Sequence, residues 1–191
     1  MKHTTMKNMT KMMAVALAAI AIFFTTQVKA QTTEASKWRL GIGVEGGIPT
    51  GDAHSGSNFE LGGTARLQYG ITSNFALTLT SGYYNFFSKT INVAVPNGDG
   101  TFTTVSEKGP NVGVVPVKVG IKDFFAKNIY FGAEVGAGFE TVSGGNTKLL
   151  LSPALGWADK SWDFGVRYEN FSGQGDNYGL VALRVAYGFS L

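Results

Sequence analysis

The chain has 191 residues, with 16 Lys and Arg against 13 Asp and Glu, no Cys, 26 Gly and 13% aromatic residues. Without Cys there is no disulfide framework, no thiolate metal site and no lipid-modified Cys anchor. The basic surplus is confined to the N-terminus: setting residues 1–30 aside removes Lys2, Lys7, Lys11 and Lys29 and leaves 12 basic against 13 acidic residues, so the charge points to no nucleic-acid partner.

Residues 1–30 have the order of a secretory signal peptide. Lys2, Lys7 and Lys11 precede an apolar run from Met12 to Phe24, and the stretch ends on the small residue Ala30. The run is shorter than the roughly 20 residues a helix needs to cross a bilayer, so cleavage after Ala30 is expected. Residues 31–191 then form one exported domain.

From Trp38 onward the chain alternates. Trp38, Leu40, Ile42 and Val44 oppose Arg39, Gly41, Gly43 and Glu45. Between Phe59 and Tyr69 the odd positions are apolar or small, while the even ones are Glu60, Gly62, Thr64, Arg66 and Gln68. Phe75, Leu77, Leu79 and Tyr83 oppose Ala76, Thr78, Thr80 and Gly82. Val115, Val117, Val119 and Ile121 oppose Lys118, Gly120 and Lys122, with Pro116 marking a bulge or a strand start because it has no N–H to donate. Ile129 to Phe139 sets its apolar odd positions against Gly132, Glu134, Gly136, Gly138 and Glu140. Leu149, Leu151, Leu155 and Trp157 oppose Ser152, Ala154 and Gly156, with Pro153 a second interruption. Trp162, Phe164, Val166 and Tyr168 oppose Asp163, Gly165, Arg167 and Glu169, and Val181, Leu183, Val185, Tyr187, Phe189 and Leu191 oppose Ala182, Arg184, Ala186, Gly188 and Ser190.

A strand sends successive side chains to opposite faces, so each segment has one apolar and one polar face. Eight such segments, each near the length that spans a hydrocarbon core when tilted, predict an all-β fold: an antiparallel up-and-down transmembrane barrel. Short turns are expected at Thr72–Asn74, Asp123–Asn128 and Ala158–Ser161, and longer loops at Ile48–Asn58, Ser88–Pro110, Thr141–Thr147 and Phe171–Asn177. In such barrels short turns are periplasmic and long loops extracellular. The longest loop holds a hairpin signal of its own, Asn97-Gly98-Asp99-Gly100 between Ile91, Val93, Val95 and Phe102, Val105, and is expected to extend two strands beyond the membrane. Aromatics near both sets of connections, among them Tyr69, Phe75, Phe124, Phe125, Tyr130, Phe131, Trp157 and Trp162 at one end and Tyr83, Phe86, Phe87, Tyr168, Phe171 and Tyr178 at the other, are expected at the membrane interfaces.

The stretches Val115-Pro116-Val117-Lys118-Val119-Gly120-Ile121-Lys122 and Asn128-Ile129-Tyr130-Phe131-Gly132-Ala133, with the closing alternation through Tyr187 and Phe189, resemble the small outer-membrane β-barrel proteins common in the Bacteroidetes, of the OmpA-membrane-domain and OmpX type. The resemblance covers Trp38 to Leu191. It implies the outer membrane of a Gram-negative bacterium, with contact to lipid and lipopolysaccharide. It also implies that Val181, Leu183, Val185, Tyr187, Phe189 and Leu191 form the signal read by the barrel-assembly machinery, with Leu191 where such strands usually end on Phe.

Function is expected to be non-enzymatic. The chain after residue 30 has one His, His54, beside Ser55 in a Gly-rich loop, and a catalytic base needs partners held on rigid elements. No P-loop, dinucleotide fingerprint, zinc cluster or calcium loop is legible, so no catalytic, cofactor or metal residue is assigned and no cofactor is expected. The polar faces bring Arg39, Glu45, Glu60, Arg66, Lys118, Glu134, Glu140, Arg167, Glu169 and Arg184 into the lumen, where charges must pair. Three roles follow: a structural or surface-interaction scaffold working through its extracellular loops, with a partner at loop 88–110; a narrow, low-conductance pore; and, less favoured, a lipid A-modifying enzyme.

Overall fold

The computed structural model describes residues 37–191 apart from Asp99 and Asp176; the expected leader and its cleavage position lie outside the described residues. Ten strands follow: β1 Trp38–Gly51, β2 Ser57–Gly70, β3 Phe75–Ser88, β4 Thr90–Pro96, β5 Phe102–Lys108, β6 Val112–Ala126, β7 Ile129–Glu140, β8 Thr147–Ala158, β9 Trp162–Ser172 and β10 Tyr178–Ser190. A one-turn helix, α1 (Asp52–Gly56), joins β1 to β2. Eight strands close one antiparallel barrel in the order β1, β2, β3, β6, β7, β8, β9, β10, with β10 returning to β1 from Arg39↔Ser190 to Gly51↔Tyr178.

Alternation puts the barrel inside out relative to a water-soluble protein. Val44, Leu183 and Leu155 are 63%, 54% and 56% exposed on the outer wall, while Glu45, Glu60, Lys118 and Glu169 are at most 1% exposed inside it. Fully burying one such aliphatic side chain is worth about 1.5–3 kcal/mol. A continuous wall of them in water far exceeds the apolar patch a soluble monomer exposes, so this surface is built for lipid. Two aromatic belts frame it. Near the short turns Trp38 packs on Tyr69 at 4.7 Å and Trp162 on Tyr187 at 5.3 Å, and Tyr187 meets Phe189 at 5.0 Å. Toward the long loops lie exposed Phe59, Tyr83, Phe139 and Tyr168.

Three expectations about boundaries are corrected. No bulge or strand start occurs at Pro116: β6 runs through it, pairing Pro116 with Gly138, and the β3–β6 ladder opens between Ser81↔Val117 and Tyr84↔Val114 before resuming in the same register. Pro153 behaves alike, since the β8–β9 ladder is open between Leu151↔Asn170 and Ala154↔Arg167. Each missing N–H goes with a gap of two residue pairs in one ladder and leaves the register unchanged. Second, β6 reaches Ala126, so the second turn is only Lys127-Asn128, closed by Asn128 at φ 65°, with the irregularity at Phe125. Third, β1 continues to Gly51 and β2 begins at Ser57, which leaves α1 as nearly the whole connection where a long loop at Ile48–Asn58 was expected. Pro49 lies beyond the last β1–β2 pair, Gly47↔Glu60, and pairs with Leu180 on the other side, so its lack of an N–H opens no rung toward β2.

The hairpin in the longest loop also differs in form. β4 and β5 make a separate two-stranded sheet, from Thr90↔Lys108 to Pro96↔Phe102, in place of extensions of β3 and β6. Lys89 and residues 109–111 interrupt the strands on either side.

Candidate functional site

The lumen is filled in layers. Nearest the long loops the inward positions of β3, β6, β8, β9 and β10 supply Phe86, Val114, Leu150, Phe171, Leu180 and Ala182, joined by the ring of Tyr84 and flanked by Val112 and Tyr178. Phe171 stacks on Tyr178 at 4.6 Å and 13°, and Phe86 meets both edge-on at 5.9 and 6.1 Å. This apolar cap corrects two expectations. Phe86, Phe171 and Tyr178 are not interface aromatics, and the inner face is not uniformly polar. At the short-turn end Phe124 and Tyr130, expected at the interface, likewise point inward, packing at 5.6 Å with Ala158 alongside.

Between these apolar layers lies the charge network. Tyr84 links the two, with its ring in the cap and its hydroxyl accepting from Lys118 Nζ at 3.1 Å and from Arg167 Nη2. Lys118 Nζ donates to Glu169 Oε1 at 2.7 Å and stands 3.6 Å from Glu134 Oε2. Arg167 Nη2 donates to Glu45 Oε1 and lies 2.8 Å from Glu169 Oε2. Glu60, fully buried, has neither carboxylate oxygen in a hydrogen bond among the described residues.

One level toward the short turns, Glu134 accepts from Arg66 Nη2 at 3.2 Å, Thr80 at 2.6 Å and Thr78 at 3.2 Å. Asp163 accepts from Lys122 Nζ and from the Tyr130 hydroxyl, each at 2.7 Å. Arg184 Nε donates to Thr64 at 2.9 Å, and Arg39 Nη1 donates to the Asp159 carbonyl at 2.7 Å. Charges taken from water are tolerated only when paired in this way, and breaking one buried pair leaves an uncompensated ion.

Of the ten residues expected in the lumen network, Glu45, Arg66, Lys118, Glu134, Arg167, Glu169 and Arg184 are buried together, with Glu60 beside them. Arg39 closes the short-turn end. Glu140 stands apart at the opposite rim, accepting from the Asn146 N–H at 2.9 Å and the Tyr178 hydroxyl at 3.3 Å. Lys122, Asp163 and Lys148 are buried in the lumen as well, Lys148 donating to the Gly173 carbonyl at 2.9 Å, and were not in the expected set. All three fall on the inward parity of their strands, which is the signal that places them.

The long-loop face holds the other candidate elements. Val93, Val95, Phe102 and Val105 are exposed on the hairpin, Phe102 at 69%. The hairpin base is tied down where Lys89 N–H donates to the Gly56 carbonyl at 2.9 Å and the Ser88 hydroxyl donates to Pro110 O. His54 stands exposed on α1, its carbonyl oxygen accepting from Lys89 Nζ. In β10, Val181, Leu183, Tyr187 and Phe189 face outward and are exposed, Val185 is half-buried, and the Leu191 N–H donates to the Trp38 carbonyl at 2.9 Å.

No protein-family model matches the chain, and no curated protein matches it in sequence. Solved structures do match its fold. The attachment invasion locus protein Ail of Yersinia pestis superimposes with a TM-score of 0.54 at 13% identity, covering 82% of this chain and 100% of that one. The same protein in complex with the heparin analogue sucrose octasulfate gives 0.52 at 13% identity, with coverage of 82% and 100%. The N-terminal β-barrel domain of Pseudomonas aeruginosa OprF gives 0.50 at 11% identity, covering 79% of this chain and 97% of that domain. This chain therefore has the closed antiparallel eight-stranded barrel fold seen in outer-membrane proteins.

Proposed function

We propose that this is a non-enzymatic outer-membrane protein whose barrel is a sealed scaffold and whose working part is the long-loop face, above all the β4–β5 hairpin. The observation that carries the reading is a separate two-stranded sheet, outside the barrel sheet, with Val93, Val95, Phe102 and Val105 exposed. An isolated hairpin of this size is only marginally stable in water, and a contact that covers its apolar residues or adds a strand to its edge stabilises it. Loops held on a rigid frame are where binding residues concentrate.

The apolar cap over the charge network favours this role over the pore alternative, because an eight-stranded lumen is only wide enough for side chains to fill and here it is filled at both ends. In this reading the outer wall contacts lipid acyl chains, lipopolysaccharide surrounds the long-loop rim, and the outward row of β10 from Val181 to Leu191 serves the assembly machinery. Ail is described in complex with a polysulfated sugar. The long connections here hold Lys89 and Lys108 against Asp52, Asp99, Glu107 and Asp176, a balance that suits a neutral or apolar protein surface better than a polyanion.

Deleting Thr90 to Glu107 tests the proposal. Cells carrying the deletion are expected to lose adhesion to protein-coated surfaces while the barrel still migrates differently on gels before and after boiling. Unchanged adhesion with an intact barrel overturns it.

A further inference from the structure

At the short-turn end, a small cleft in the lumen is lined by three guanidinium groups, Arg39 from β1, Arg66 from β2 and Arg184 from β10, with Gln68 and a single carboxylate, Asp163 from β9. Asp163 is already committed: its Oδ2 accepts from Lys122 and its Oδ1 from Tyr130, both at 2.7 Å. The arginines reach it only at long range, Arg66 Nη1 at 3.9 Å and Arg184 Nη1 at 3.8 Å. Arg66 spends its remaining groups on Thr80 and Glu134, and Arg184 its Nε on Thr64. Two donors are left over. Arg184 Nη2 and Arg39 Nη2 are buried with no hydrogen-bond partner among the described residues, and Arg184 is only 3% exposed.

The backbone makes room for this arrangement. A Cβ at Gly188 would fall 2.0 Å from Arg39 Nε, so only Gly lets Arg39 lie across β10. A Cβ at Gly41 would stand 3.7 Å from the free Nη2 of Arg184, so the same absence of side chains borders that donor. Buried N–H donors of a charged group left unpaired are costly, and here they share a cleft with excess positive charge. We infer that this cleft is an anion site for one small monovalent anion of chloride size, held by Arg39 Nη2 and Arg184 Nη2 and entering from the short-turn mouth. The cleft is tight, near the limit for one small body, which favours a halide over a bulkier oxyanion. The inference does not depend on the hairpin's role.

The full chain, folded in detergent micelles, is tested with chloride itself. Chlorine-35 resonance linewidths are expected to broaden with the wild-type barrel, to narrow again when bromide competes, and to stay narrow with Arg39→Gln or Arg184→Gln. Arg39→Gln, at the rim of the lumen, serves if Arg184→Gln fails the heat-dependent gel migration that reports a folded barrel. The apparent unfolding midpoint is expected to rise by about 2–4 °C in chloride over gluconate at equal ionic strength, and not to rise in Arg39→Gln. Absence of broadening in the wild type, or broadening and a midpoint shift that persist in the folded variants, overturns the site. A response to phosphate without one to chloride overturns the assignment of its ligand.

Discussion

Lys118 and Glu169 meet at 2.7 Å across the barrel interior with neither side chain exposed, and Glu134 stands 3.6 Å from the same ammonium on its other side. One cation thus serves two carboxylates on β7 and β9. Lys118→Met is expected to destabilise the barrel by about 3–5 kcal/mol, because it removes the ammonium shared by two buried carboxylates and leaves Glu169 with Arg167 and Glu134 with Arg66 as their remaining cations. Adding Glu169→Gln to Lys118→Met is expected to recover a large part of that loss. Urea midpoints of the refolded variants in lipid vesicles measure both, and equal losses in the single and double variants would disprove the coupling.

The apolar cap makes two linked predictions. Phe171 is fully buried against Phe86 and Tyr178, so Phe171→Ala is expected to cost about 3–5 kcal/mol. Because cap, ion pairs and the Phe124–Tyr130 layer fill the lumen in series, the wild-type protein is expected to show no single-channel steps in planar bilayers. Discrete, reproducible steps from homogeneous wild-type protein would put the pore alternative ahead of the scaffold reading.

Asp159 sits in the last short turn, where its Oδ1 accepts from the N–H groups of Ser161 and Trp162, each at 2.7 Å. Those backbone hydrogen bonds, with Trp162 first, hold its carboxyl below the usual carboxylate range. The sign follows from linkage: a depressed folded value supplies stability that is present above the unfolded Asp value of about 3.9 and is lost as pH falls through the folded value. The turn is therefore expected to loosen only in more acidic solution than an unperturbed Asp would imply. A carboxyl-carbon resonance titration of Asp159 with a midpoint at or above the ordinary value would contradict this.

Strand spacing supplies a fifth prediction. A Cβ at Gly136 would lie 2.0 Å from the Val117 carbonyl oxygen, a backbone atom that cannot swing away. Gly136→Ala is expected to destabilise the folded barrel by about 1–3 kcal/mol through a forced shift of β6 against β7, read as a lower urea midpoint. Gly63→Ala, where a Cβ meets nothing within 4 Å, is the control and is expected to change little.

Alternation alone made the two walls of the barrel legible, because a period of two assigns every residue of a strand once its direction is known. Trp38 to Glu45 and Phe131 to Phe139 read correctly by that rule. The apolar cap was missed for a chemical reason: Phe171 and Tyr178 lie beside loops, and a ring suits a membrane interface as well as a lumen. Their parity, shared with Glu169 and Ala182, points inward and would have decided the matter. Which charges meet was not legible in any form. Partners such as Lys118 and Glu169 come from strands that are not neighbours, and their heights are set by the stagger of the closed barrel, which no single strand encodes. The two prolines misled for the opposite reason, since a lost hydrogen-bond donor was read as a broken strand when the closed barrel absorbs a gap of two residue pairs in one ladder.

The β4–β5 sheet shares no rung with the barrel, and its tip closes locally through the Asn97 N–H on the Thr101 carbonyl at 2.9 Å. Residues gained or lost at that tip shift only the pairing of two short ribbons and leave all eight staves in place. The protein is thus arranged like a post with an exchangeable head: the tip can be rewritten, or a foreign segment grafted there, while the part that must close stays the same.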